Sequence, residues 1–180
     1  MPKLKEYDLS NIIPTELAYL AGFIDGEGCF FIGNFPTVSK CTGNKYLNYH
    51  CILKVSNNCV DIMDWISNKF FARTTLHNKK TKDASRNFIT YDCYFTGNLL
   101  TDLTKMLLPY LRIKQPQAEV MLKMRSTFPR SGSSGRYRDT ARDAIRAELH
   151  REMHRLNSRF KNHPLKRDLY SDLAPCLPSA

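Results

Sequence analysis

The chain has 180 residues, of which 42% are hydrophobic, so it can form one compact domain with a hydrophobic core and a C-terminal extension. Its formal net charge of +10 suits an anionic polymer such as nucleic acid, although ribosomal and membrane-surface proteins share this property. The sequence shows no signal peptide, no apolar run of roughly 18 residues and no C-x-x-C pair. We therefore expect no secretion, membrane span or zinc knuckle. We expect an intracellular protein, in the cytoplasm or nucleoid of a prokaryote or in an organelle matrix.

The first predicted helix begins near Thr15, which can cap it after Pro14. Apolar residues recur along this helix at helical spacing. A second stripe consists of small side chains, and its glycines Gly22 and Gly26 are four residues apart and share a face. Each glycine inside a helix costs roughly 0.5–1 kcal/mol relative to alanine. We therefore expect a second helix to pack closely against this stripe.

The helix ends in Asp25-Gly26-Glu27-Gly28, which places two carboxylates among unpaired carbonyl groups. Negative charge is unfavourable at a helix C-terminus unless a cation is present. Carboxylate and carbonyl oxygens are the ligands that Mg²⁺ prefers, together with water or phosphate. The pattern indicates half of a magnesium site. The alternative is a turn with a solvated Glu27.

The next two segments have the character of strands. Cys29–Phe35 is β-prone and is expected to stop at Pro36, and Tyr46–Ser56 alternates between apolar and polar residues. Asn48, His50 and Lys54 belong to the polar face. A sheet with one buried and one basic face fits the major groove of DNA, whereas an ordinary solvated face is the alternative reading.

The remaining elements complete an α+β pattern. Their expected bounds are a helix at Val60–Phe71, strands at Thr74–His77 and Phe88–Phe95 around a lysine-rich loop, a helix from Gly97 or Asn98 to Pro109, and a helix at Gln117–Phe128. The order is α-β-β-α-β-β-α, followed by the further helix at Gln117–Phe128. We divide the chain into a core (1–128), a flexible connection (129–136) and a basic helical extension (137–180). The extension holds an arginine-rich helix whose His150 and His154 are expected to be solvated.

Residues Leu20–Gly28 resemble the signature of the LAGLIDADG homing endonucleases, with Phe23 for Leu, Gly26 for Ala and Glu27 for the second Asp. The element order extends the resemblance over residues 14–128. The resemblance implies that two such helices pack at a dyad. It also implies that Glu27 and the Gly26 carbonyl bind Mg²⁺ beside a scissile phosphate, in a site that Mn²⁺ or Ca²⁺ can also occupy.

The same resemblance implies two further catalytic residues. Lys114 lies in the segment after Pro109, where the family has a basic residue, and Asn57 lies where the second strand ends and the family often has Gln. A single motif implies a homodimer. The residues expected at the dimer interface are Ala18, Ala21, Gly22, Ile24 and Asp25.

The implied activity is a staggered double-strand break with short 3′ overhangs in a long pseudo-palindromic DNA site, with no small-molecule substrate. An RNA-binding intron maturase and a non-catalytic DNA-binding regulator are the alternatives. For base recognition we expect Asn34, Asn48, His50, Lys54, His77 and Lys79. For phosphate contacts we expect Lys40, Lys45, Lys80, Lys82 and Arg86.

Overall fold

The computed structural model describes residues 7–38, 43, 45–80, 87–128 and 140–158. The elements in these ranges are α1 (Pro14–Glu27), β1 (Gly28–Val38), β2 (Lys45–Asn57), α2 (Val60–Phe70), β3 (Arg73–Lys80), β4 (Asn87–Phe95), α3 (Gly97–Leu107), α4 (Gln115–Ser126) and α5 (Thr140–Ser158). The predicted α+β class and element order are confirmed. No described helix combines the length and apolar character that a membrane crossing requires.

Helix α1 begins one residue earlier than the sequence suggested. Ile13, with extended backbone angles, is the N-cap in place of Thr15, and Pro14 is the first helical residue. Proline suits this position because its missing N–H would have no helical partner there. The Ile13 N–H donates to Glu16 Oε2 at 3.1 Å, and Glu16 also forms an ion pair with Lys69 at 2.9 Å. The helix start is therefore fixed by Glu16.

The described strands form an antiparallel sheet in the order β1-β2-β4-β3. Strand β1 continues through Pro36, which pairs with Leu47. Because β1 is an edge strand, it has a neighbouring strand on one side only. The missing N–H of a proline therefore does not interrupt hydrogen bonding to a second neighbour. Strand β2 alternates as predicted: Tyr49, Cys51 and Leu53 are buried between half-buried or exposed residues.

One face of the sheet carries the core. Helix α1 covers it with Leu17, Leu20, Ala21 and Ile24, and the other helices add further apolar side chains to the same cluster. In the part of the chain that the structure describes, no helix covers the opposite face, which holds residues such as His50 and Lys54. Among these residues, the division leaves one broad surface of the sheet available for a partner.

Helix α5 belongs to the same core. Its Met153 and Leu156 are buried, and the Asn157 side chain donates to the Phe30 carbonyl at 2.9 Å. Arg146 donates to the Thr127 hydroxyl at 2.9 Å, which ties α5 to the end of α4. The described part of the predicted extension is therefore docked on the fold.

The two histidines of α5 differ in their surroundings. His154 is exposed, as expected, but His150 is half-buried with its ring 5.9 Å from that of Tyr49. Burial, with a smaller contribution from His154, lowers the pKa of His150. Among the described residues, no group of three or more His, Cys, Asp or Glu side chains could hold a metal ion.

Candidate active site and sheet surface

The C-terminal end of α1 meets the loop that joins α3 to α4. The Asp25 carboxylate accepts three backbone hydrogen bonds from this loop: Arg112 N at 2.8 Å, Ile113 N at 3.1 Å and Lys114 N at 2.8 Å. A carboxylate can satisfy several such donors because it presents about four lone-pair sites. Asp25 is therefore occupied within its own chain. The structure makes Asp25 the residue that positions the loop, and its expected place in a dimer interface stays a prediction.

Lys114 is brought to the same helix end. Its Nζ donates to the carbonyl of Ile24 at 2.8 Å and to that of Asp25 at 2.5 Å. These carbonyls lie in the last turn of α1, where the helix leaves acceptors without helical partners and carries partial negative charge. Burial lowers the pKa of Lys114, and the negative charges of Asp25 and Glu27 oppose this effect. The structure thus places Lys114 beside the acidic motif at the end of α1, although the two are far apart in the sequence.

Glu27 and Gly26 provide an open oxygen-rich surface. Glu27 is the last residue of α1 and is exposed, and a Cβ built on Gly26 meets no atom within 4 Å. Mg²⁺ commonly binds one or two carboxylates and keeps several waters or substrate phosphate oxygens. A single accessible carboxylate beside a backbone carbonyl fits a divalent ion that is shared with a phosphate. It does not fit a cage built from protein ligands alone.

Asn57 lies at the same end of the sheet. Gly28 pairs with Val55, so the end of β2 is adjacent to the end of α1. The Asn57 Oδ1 accepts a hydrogen bond from Cys59 N at 2.8 Å, which forms a local turn leading into α2. The carbonyl side of this amide therefore has a structural role. The predicted catalytic role of Asn57 stays a prediction.

The small-residue stripe of α1 divides into an exposed and a buried part. Ala18 and Gly22 are exposed, and no atom of the described ranges lies within 4 Å of a Cβ built on Gly22. Ala21 and Ile24 have no exposed surface and pack in the core. The interface prediction is wrong for these two residues, because a second copy cannot reach them. Helical spacing alone did not show which side of α1 the sheet would cover.

Strand register decides which polar residues share the open face. His50 pairs with Gly33 and Lys54 with Tyr94, and Asn48 lies on the same face by alternation. Asn34 pairs with the buried Tyr49, so it belongs to the helix-bearing face. Lys45 has the same parity as Tyr49. Asn34 and Lys45 are both exposed, but neither lies on the face that is expected to contact DNA.

An acid on the open face holds Lys54. Asp92 is buried, and its carboxylate forms an ion pair with Lys54 Nζ at 2.6 Å. It also accepts hydrogen bonds from Ser56 Oγ at 2.6 Å and Tyr94 OH at 2.9 Å. Burial opposes the charged form of Asp92, but these bonds outweigh it and lower its pKa. The network fixes the lysine on the surface. Strand register places Asp92 opposite Ser56, on the face that holds Lys54, which the irregular alternation of residues 87–95 did not predict.

For six of the predicted DNA-contacting residues, the side chain lies outside the described part of the structure. In β3, the backbone of His77 pairs with Thr90, that of Lys79 with Phe88 and that of Lys80 with Asn87. The side chains of these three residues are outside the described part of the structure. Lys40, Lys82 and Arg86 lie outside the described residues altogether. All six therefore stay predictions.

Solved structures with a similar fold include several homing endonucleases. I-CvuI, in complex with the I-CreI target, is 21% identical with a TM-score of 0.60 and covers 79% of this chain and 82% of its own. The archaeal intron-encoded I-Vdi141I, complexed with DNA, is 14% identical with a TM-score of 0.59. The match covers 79% of this chain and 84% of I-Vdi141I. I-LtrWI, bound to target DNA, is 18% identical with a TM-score of 0.52. The match covers 87% of this chain and 46% of I-LtrWI.

At these identities the structural similarity establishes the fold. No curated protein matches the sequence. The family model described as LAGLIDADG endonuclease matches residues 20–119, which is more than half of the chain. This match includes both the acidic end of α1 and the loop that brings Lys114 to it. The chain therefore belongs to the LAGLIDADG endonuclease family.

Proposed function

We propose that the protein is a site-specific homing endonuclease that acts as a homodimer on double-stranded DNA. It makes a staggered break with short 3′ overhangs in a long pseudo-palindromic site, with Mg²⁺ as the metal. The observation that carries this proposal is that Glu27 and Lys114 lie together at the end of α1. Here Lys114 Nζ donates a hydrogen bond to the Asp25 carbonyl at 2.5 Å. A maturase or a DNA-binding regulator on this fold would need the basic surface but not the open carboxylate of Glu27.

The chain's own groups divide the tasks of phosphodiester hydrolysis. Glu27 and the Gly26 carbonyl would hold the cation against a scissile phosphate. When bound, Mg²⁺ supplies an activated water, charge neutralisation at phosphorus and support for the leaving oxygen. Lys114 stabilises the phosphate charge or orients the attacking water. Asp25 holds the Lys114 loop in place through its three backbone hydrogen bonds.

The exposed part of the small-residue stripe supports the homodimer. Ala18 and Gly22 present almost no side-chain bulk, so a second α1 can approach until the backbones nearly touch. The same patch on both copies makes an isologous contact around a two-fold axis. Such a contact brings together two copies of Glu27, each next to one DNA strand. A two-fold protein selects a DNA site with matching symmetry.

We expect Gly22→Leu to abolish dimerisation while leaving the monomer folded. None of the described residues lies within 4 Å of the new Cβ, whereas an opposing helix would meet the leucine directly. Light scattering after size-exclusion chromatography measures the mass. Ala144→Leu, at an exposed position of α5, is the matched control and should leave the mass unchanged. A dimeric Gly22→Leu protein would move the interface away from α1.

We expect Lys114→Met to slow cleavage by about 10²-fold while weakening DNA binding less than threefold, since positioned groups of this kind contribute 10²–10⁴-fold. The half-buried position lets the apolar stem of methionine remain packed, so the loss is specific to the amine. Single-turnover cleavage and fluorescence anisotropy give the two quantities. Lys123→Met, at an exposed site on α4, is the control. Equal losses of rate and affinity would reduce Lys114 to a phosphate contact.

Cleavage of a DNA library with a randomised site, followed by sequencing of the cut ends, tests the proposed function as a whole. We expect one near-palindromic motif with staggered ends in Mg²⁺ and none in EDTA. An absence of cut ends despite tight binding of DNA would favour a regulator. An absence of cut ends with tight binding of RNA would favour a maturase.

A further inference from the structure

Two phenylalanines lie exposed on the open face of the sheet. Phe31 is 46% exposed and Phe35 is 43% exposed, and both alternate along β1 with core positions such as Phe30. An exposed apolar side chain is not unusual by itself. These two are distinctive because they lie on the same face as Asn48 and Lys54, the positions expected to meet DNA.

His50 joins the two rings into one cluster. Its ring centroid is 5.7 Å from that of Phe31 and 5.7 Å from that of Phe35. A Cβ built on Gly33, the strand partner of His50, would lie 2.1 Å from His50 Cε1, so only glycine lets the imidazole rest on β1. Among the described residues, His50 Nδ1 is buried without a hydrogen-bond partner. The contacts with both rings therefore hold the imidazole between the two phenylalanines.

We propose that Phe31 and Phe35 read thymine methyl groups in the major groove of each half-site, with His50 as their positioning residue. The inference rests on the proposed function, because it requires that this face of the sheet meets DNA. The thymine C5-methyl is the apolar group that the edges of base pairs present in the major groove, and phenylalanine is one of its known partners. The cluster gives the protein a means of recognition without hydrogen bonds.

The two phenylalanines are too far apart to contact the same methyl group. Four residues of a strand separate their Cα atoms by on the order of 13 Å, and each phenyl ring contacts the same imidazole of His50. Each ring therefore contacts a different base pair. Phe31 is four residues from Glu27 and Phe35 is eight, so the thymine read by Phe31 lies nearer to the cleaved phosphates. This order along the site is a second property that an experiment can check.

The test replaces thymine by deoxyuridine, one position at a time, in the site selected from a randomised library by binding in EDTA. Deoxyuridine keeps the pairing edge and the O4 acceptor and removes only the methyl group. We expect about fourfold weaker binding at two positions per half-site, as for the loss of one buried methyl-sized group. Phe31→Ala should abolish the dependence at the inner position, and Phe35→Ala at the outer one.

Leu47→Ala is the matched control. Leu47 is 46% exposed on the same hairpin but pairs with Pro36 on the opposite face, so its loss should leave both dependences unchanged. His50→Ala should weaken the dependence at both positions, because it removes the spacer between the rings. Thermal unfolding of each variant checks that the fold is retained.

The outcomes separate this inference from the proposed function. Binding to DNA with no effect of deoxyuridine at any position, or with an effect that survives both phenylalanine variants, overturns the methyl readout alone. A loss of self-association in Phe31→Ala with unchanged DNA affinity overturns it as well, and assigns the cluster to a protein contact. Absence of DNA binding overturns the proposed function together with the inference.

Discussion

Glu27→Gln should abolish DNA cleavage and leave DNA binding intact. Glu27 is exposed and ends α1, so the amide can replace the carboxylate without disturbing the core. What the variant loses is the anionic ligand for a divalent cation. Metal assistance contributes several kcal/mol to charge stabilisation, and about 4 kcal/mol corresponds to a loss of about 10³-fold in rate.

Single-turnover cleavage of the selected site in Mg²⁺ measures the rate, and anisotropy in EDTA measures binding independently of metal. Glu119→Gln is the control, since Glu119 is an exposed acid on α4 and undergoes the same chemical change. Cleavage by Glu27→Gln at the rate of the unaltered protein would remove Glu27 from the metal site. A loss of binding of similar size to the loss of rate would make Glu27 a recognition residue.

Asp25→Asn should impair both the fold and the reaction. The carboxylate accepts three backbone hydrogen bonds at 2.8–3.1 Å, and an asparagine offers one acceptor oxygen and turns an NH₂ group toward N–H donors. We expect a loss of about 1–3 kcal/mol of stability, because the bonds are charge-assisted but mostly exposed. We also expect cleavage to fall by more than tenfold, since Lys114 loses its fixed position.

Thermal unfolding and single-turnover cleavage report these two effects, with Asp64→Asn, an exposed acid on α2, as the control. A double-mutant cycle with Lys114→Met separates a positioning role from general destabilisation. If Asp25 acts through Lys114, its substitution should have little further effect on the rate once Lys114 is methionine. Fully additive effects on the rate would show that Asp25 contributes to cleavage by another route.

The periodic elements could be predicted from sequence because local patterns dictate them. The alternation along β2 identified the buried residues from Tyr49 to Val55, and the acidic end of α1 located Glu27. Lys114 was assigned by resemblance, since the residues between α3 and α4 carry no local signal that links them to α1. Its two bonds to helix carbonyls are a long-range contact.

The errors share a physical origin. Ala21 and Ile24 lie on the side of α1 that the sheet covers, and Asn34 lies on the helix-bearing face of β1. Helical and strand periodicity give the relative positions of residues within an element. They do not give the direction in which the element faces when several faces carry small or polar residues. A one-residue difference in parity moves a side chain to the other face of a sheet.

The α+β order of elements, the position of the acidic motif and the family to which that motif points all follow from contiguous residues, so they can be predicted without coordinates. Three contacts are known from the folded chain alone: Asp25 holds the Lys114 loop, Asp92 fixes Lys54, and His50 rests on Gly33. Each of these contacts joins residues from different elements. Strand register and the docking of α1 on the sheet bring them together, and both are settled by packing of the core as a whole.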